Sequence, residues 1–121
     1  MNDYFFDTYA IMEVVKGNRN YAQFKGAEAF TSVLNLTELH YHITRQFGLE
    51  LAHRLINKWS RRVLGFSNDD IEKMTKFKLA NSKKKFSLPD SLGYILALRH
   101  GLKFLTGDEG FRSMPNVELV K

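Results

Sequence analysis

The chain has 121 residues, 44% of them hydrophobic and 26% charged, which fits one folded domain with one core and excludes global disorder. It has no cysteine, so disulfides and thiolate metal sites are excluded and a reducing cytosol is the expected compartment. Lys and Arg number 18 against 13 Asp and Glu, and the net charge of +5 favours a polyanionic partner, of which nucleic acid is the commonest. No apolar run is long enough to span a bilayer, and MNDYFFDTYAIMEVV places an acid ahead of its apolar run with no basic region, unlike a signal peptide.

The aromatic run Tyr4-Phe5-Phe6 predicts a buried strand that ends at Asp7. Residues 10–16 carry Ile11, Val14 and Val15 at helical spacing, and Gly17 stops them. Residues 18–26 are polar and predict a short helix or a loop. Residues 29–34 are β-prone. A helix follows from Asn35, with Leu36, Leu39, Ile43 and Phe47 on one face and Gly48 at its end. The next helix carries Leu51, Leu55, Trp59 and Val63, with Gly65 as its stop, while residues 63–66 compete as a brief strand.

Ser67 and Asp70 are spaced as a capping box for a helix bearing Ile71, Met74 and Phe77. Residues 81–85 form a basic connector. Pro89 suits the first position of a helix that buries Leu92, Ile95 and Leu96 and ends at Gly101. Within it, Gly93 would serve close helix–sheet packing. Residues 103–106 and 117–120 are the last strands. This alternation predicts an α/β fold with a mainly parallel sheet and a single domain over residues 1–121.

In such sheets ligands bind outside the carboxyl ends of the strands. Asp7 follows the first strand and Asp108 follows the 103–106 strand. Glu38 falls in the first turn of the helix after the second strand. Asp90 falls in the first turn of the helix leading into the 103–106 strand. Four acids distant in sequence therefore map to one rim. Each alone has a plainer explanation: first-turn acids complement the helix dipole, and acids at strand ends form Asx turns. Together they repel one another and stay ionised only if a cation neutralises them. Oxygen ligands without cysteine or paired histidine favour Mg²⁺ or Mn²⁺, and such an ion on a basic domain points to phosphodiester chemistry.

Three further segments carry a family resemblance. They are YFFDTYAIMEVV, FTSVLNLTELHYHI and LPDSLGYILALRHGLKFLTGDEGF, in that order and covering nearly the whole chain. In these segments the chain resembles a PIN domain, especially the small ribonuclease toxins of the VapC type. The resemblance implies an α/β/α sandwich of three layers around a mainly parallel sheet of four or five strands. It implies that Asp7, Glu38, Asp90 and Asp108 bind Mg²⁺ or Mn²⁺ and are the catalytic residues of a metal-dependent endoribonuclease. Thr8 and Thr106 would support them. It also implies an antitoxin partner, a homodimer and a cytoplasmic location. Many members carry a further acid where Gly110 stands, and Glu109 would compensate for it.

Other features have simpler readings. Lys83-Lys84-Lys85 and Arg61-Arg62 read as solvated surface, Arg99 as remote from substrate, and the four histidines as structural or exposed. A binding module of the same fold that does not cut RNA is the alternative. A phosphoacceptor domain of receiver type ranks last, because Lys103 precedes its strand rather than following it.

Overall fold

The computed structural model describes residues 3–121. Four strands form one sheet: β1 (Asp3–Phe6), β2 (Glu28–Phe30), β3 (Lys103–Thr106) and β4 (Val117–Leu119). Their order is β2-β1-β3-β4 and every pairing is parallel. Five α-helices connect them: α1 (Thr8–Lys16), α2 (Val33–Phe47), α3 (Leu49–Trp59), α4 (Asn68–Ala80) and α5 (Leu88–Arg99).

Strand alternation divides the core into two layers. Tyr4 and Phe6 of β1, with Leu105 of β3, face one side and pack against α1, α2 and α3 through Ile11, Leu39, Ile43 and Trp59. Phe5 and Phe104 face the other and meet α4 and α5 through Met74, Leu92, Tyr94 and Leu96. The result is the expected α/β/α sandwich of three layers. On the second side, Phe86 stacks on Phe111 with ring centroids 4.0 Å apart, and Phe104 meets Phe111 at 4.7 Å. α5 lies close against the sheet because Gly93 has no side chain. A Cβ there would sit 2.6 Å from Phe5 Cε1 and 3.2 Å from Phe104 Cε1.

Several element boundaries differ from the sequence reading. β2 ends at Phe30, and Val33 and Leu34 belong to α2. The Ser32 hydroxyl accepts a hydrogen bond from the Asn35 amide and starts the helix earlier than β-propensity suggests. Glu38 is consequently in the second turn of α2, not the first. α3 stops at Trp59, a 3-10 turn covers Ser60–Arg62, and Gly65 is not its cap. The strand expected over 63–66 shrinks to a bridge between Thr31 and Val63, because only the Thr31 amide and carbonyl reach this segment. Residues 19–24 form a 3-10 helix.

α5 starts at Leu88, so Pro89 is its second residue. Here Ser87 and Asp90 form a capping box, as Ser67 and Asp70 do for α4. Ile71 is 41% exposed and turns away from the core. Asp70 takes the inward position instead. It is fully buried, and Arg99 of α5 reaches across to it at 2.8 Å. Arg99 is thus spent on joining two helices.

Candidate active site

The carboxyl ends of β1 and β3 lie side by side at the centre of the sheet, and their continuations carry Asp7 and Asp108. Asp7 is both the first residue after β1 and the N-cap of α1. Its Oδ1 accepts the Ala10 amide at 2.8 Å. Its Oδ2 accepts the Thr106 hydroxyl. The same hydroxyl accepts the Asp108 amide at 3.1 Å, so Thr106 ties the two acids together. Asp108 Oδ1 in turn accepts the Gly110 amide at 2.9 Å, which closes the turn after β3.

α5 begins beside these two strands. Its capping box holds Asp90, whose Oδ2 accepts the Ser87 amide at 3.0 Å. Glu38 comes from α2 on the opposite wall and makes no side-chain hydrogen bond among the described residues. Asp7, Glu38, Asp90 and Asp108 line one open cleft of about 680 Å³. Among the described residues, none of the four is ion-paired.

Electrostatics follow from that arrangement. Asp7 is 1% exposed, and burial pushes its carboxyl up to about 8, aided by the charges of Asp90 and Asp108 and opposed by the bonds from Thr106 and Ala10. Asp90 is also raised, first by burial and then by Glu38 and Asp108, against the Ser87 bonds. Crowded carboxylates held above their usual range are suited to a cation. All four donors are oxygens, and these fit a hard divalent ion such as Mg²⁺ or Mn²⁺. The four carboxylates are not gathered into a tight group, however. Among the described residues no three of His, Cys, Asp and Glu converge tightly enough to form a ready metal-binding group.

Thr8 is buried, and its hydroxyl accepts Asn35 Nδ2 at 3.2 Å. Asn35 also accepts the Ser32 hydroxyl at 2.6 Å, and it has no exposure. This network fixes α2 against α1 and so places Glu38. Asn35 escaped the sequence reading, although its position three residues after a helix-capping serine and three before Glu38 was a usable signal. His42 was set aside as structural or exposed, yet it lines the cleft together with Arg45 and Gln46. Its spacing of four from Glu38 places both on one face of a helix.

Glu109 also borders the cleft, but its carboxylate is held by Arg112 and by Lys121, the latter at 3.2 Å. These partners bring it down to about 2, the Arg112 bond contributing most. Gly110 stands where a further acid was noted as missing. A Cβ there would lie 2.9 Å from Phe86 Cε1, so the aromatic cluster leaves no room for one.

Comparison with solved structures gives the same architecture. A chain of a toxin-antitoxin complex from Klebsiella pneumoniae is similar over 96% of each chain, with 19% identity and a TM-score of 0.75. A chain of VapBC2 from Rickettsia felis, bound to a DNA fragment from its promoter, is similar over 98% of each, with 18% identity and a TM-score of 0.71. No curated protein matches the sequence. A family profile described as the PIN domain matches residues 4–117, and the chain belongs to the PIN domain family.

Proposed function

We propose that this protein is a metal-dependent endoribonuclease of the VapC type, the toxin half of a toxin–antitoxin pair. The observation that carries the reading is the gathering of Asp7, Glu38, Asp90 and Asp108 around one cleft, none with a cationic partner among the described residues. A Mg²⁺ or Mn²⁺ ion held by these oxygens would supply a water of lowered pKa and offset charge on the phosphodiester. The chain's own contribution is positional. Thr106 keeps Asp7 and Asp108 in register, the Ser87 cap orients Asp90, and Asn35 sets the height of Glu38. The net charge of +5 suits an RNA substrate.

The two structural relatives come from toxin-antitoxin assemblies, which supports a cognate antitoxin for this chain. A homodimer and a cytoplasmic location belong to the same reading. No helix among the described residues is long and apolar enough to cross a membrane. One observation favours a second reading, a PIN module that binds RNA or protein without cutting: the carboxylates do not converge into a ready metal group.

Calorimetric titration with Mn²⁺, run beside cleavage of labelled RNA with Mn²⁺ and with EDTA, separates the two. Heat of binding with EDTA-sensitive cleavage supports the nuclease. No heat and no cleavage leaves the binding module.

A further inference from the structure

The acids account for only one end of the cleft. The wall formed by α2 continues past Glu38 with His42, Arg45 and Gln46, which all line the same cleft. Their offsets from Glu38 are four, seven and eight residues, so they form one stripe along the helix. Arg45 lies about 10 Å along the axis from Glu38 at the helical rise. Two other cations border the cleft, and both are engaged. Lys16 is 3.7 Å from Glu13, and Lys121 is 3.2 Å from Glu109. Arg45 has no carboxylate within ion-pair distance among the described residues. Its guanidinium instead lies 5.6 Å from the Tyr41 ring centroid. An aromatic face steadies the planar group while leaving its N–H fork directed to other partners.

We infer that this stripe of α2 is the track along which single-stranded RNA leaves the acids, with Arg45 gripping a backbone phosphate a short distance from the scissile one. The inference rests on the ribonuclease reading above. An Arg fork matches phosphate geometry with two N–H bonds, which a free lysine ammonium does not. His42 and Gln46 flank the path with groups that hydrogen-bond sugar or base edges. Arg45 does not touch the reacting atoms. Its role is to hold the strand in place, and the polyanion is drawn toward α2 because the unneutralised positive charge of the cleft is there.

The test uses the full chain and a short fluorescein-labelled single-stranded RNA of mixed sequence. Binding is followed by fluorescence anisotropy in EDTA across a salt series, for the parent, Arg45→Ala, Arg45→Lys and the control Lys83→Ala, a lysine outside the cleft lining. Loss of one phosphate contact should lower the slope of log K against log salt by about 0.7 and weaken binding about tenfold. Arg45→Lys should restore the slope but only part of the affinity, and Lys83→Ala should behave as the parent. Equal melting temperatures for parent and Arg45→Ala show that the loss is not one of folding. Binding by Arg45→Ala with the parent's affinity and slope overturns the inference, as does a parent that binds no RNA.

Cleavage with Mn²⁺, measured in parallel, keeps the two readings apart. A raised KM at unchanged kcat for Arg45→Ala supports the track. A parent that binds with an Arg45-dependent slope but never cleaves removes the nuclease reading and leaves the track. A parent that cleaves while Arg45→Ala keeps its KM and its salt slope removes the track and leaves the nuclease.

Discussion

Asp7→Asn should make the metal-free protein more stable, and increasingly so as pH rises. The Asp7 carboxyl has an ordinary value of 3.8 and is pushed up to about 8 in the folded chain, burial being the main cause. Between those values the unfolded chain releases a proton that the folded chain retains. Stability from this group is therefore complete below about 4 and is lost as pH rises toward 8. The linkage slope has an upper limit of about 1.4 kcal/mol per pH unit, and relaxation and water entry reduce the sum to roughly 2–3 kcal/mol at pH 8.

Asparagine keeps the cap, because its carbonyl oxygen can still accept the Ala10 amide, and its NH₂ can donate to the Thr106 hydroxyl. For a chain of this size the gain at pH 8 is a rise in Tm of about 10 °C. Circular dichroism melts in EDTA at about pH 5, 6.5 and 8 supply the measurement. Titrating groups remote from the cleft act on parent and variant alike, so the difference reports Asp7 together with its coupling to Asp90 and Asp108. Melting temperatures that run parallel across pH, or a variant less stable than the parent at pH 8, would show that the buried Asp7 carboxyl does not retain its proton in the folded chain. Added Mn²⁺ should raise the Tm of the parent more than that of the variant.

Gly93→Ala adds a methyl whose carbon would lie 2.6 Å from Phe5 Cε1; overpacking outweighs the helix-propensity gain, and a loss of about 1–2 kcal/mol is expected in urea denaturation. An unchanged or raised midpoint would show that α5 can move off the sheet. Arg99→Ala leaves Asp70 buried with only its Ser67 bonds. Burial raises the Asp70 carboxyl, but Ser67 and Arg99 together bring it below the usual range, so the stability it contributes is present above about 4 and fades as pH falls further. The expected cost is roughly 1–3 kcal/mol at neutral pH, discounted because Arg99 is partly exposed, and it should shrink near pH 3 in urea melts; an equal cost at both values would contradict the pairing. Thr106→Val removes the hydroxyl that joins Asp7 and Asp108, and a cleavage rate at least about tenfold lower at a folded-state Tm close to the parent's is expected; parental cleavage would show that the acids hold their positions without it.

The sheet and its rim were readable because strong local signals agree with the global fold there. Tyr4-Phe5-Phe6 has no plausible place but a buried strand, and a polar residue that ends such a strand in a parallel sheet must emerge at the carboxyl edge. That places Asp7 and Asp108 from patterning alone. The β2–α2 boundary was misread because residues 29–34 are β-prone, while a single Ser32 hydroxyl commits Val33 onward to the helix. That boundary moves Glu38 from the first turn of α2 to the second, whereas the alignment of Glu38, His42 and Arg45 on one face follows from their spacing alone.

Partnerships across the fold were the other blind spot. Nothing near Asp70 in sequence announces Arg99, and nothing near Glu109 announces Lys121. Local context gives Asp70 only a capping-box role, and it makes Glu109 an available acid in a loop. In both cases a cation distant in the chain decides the role of the carboxylate. The space denied to a side chain at Gly110 likewise comes from Phe86, far away in the sequence.

The proposed function requires the four carboxylates to act as one metal-dependent site. Its most direct test is the rate of labelled-RNA cleavage at saturating Mn²⁺ for the parent and for folded Asp7→Asn, Glu38→Gln, Asp90→Asn and Asp108→Asn. Groups that work as a unit are strongly non-additive. Each single change should therefore lower the rate by about a hundredfold or more, and the Asp7→Asn/Asp108→Asn pair should be little worse than its slower member. A folded single variant that cleaves as fast as the parent would remove that residue from the site and contradict the account.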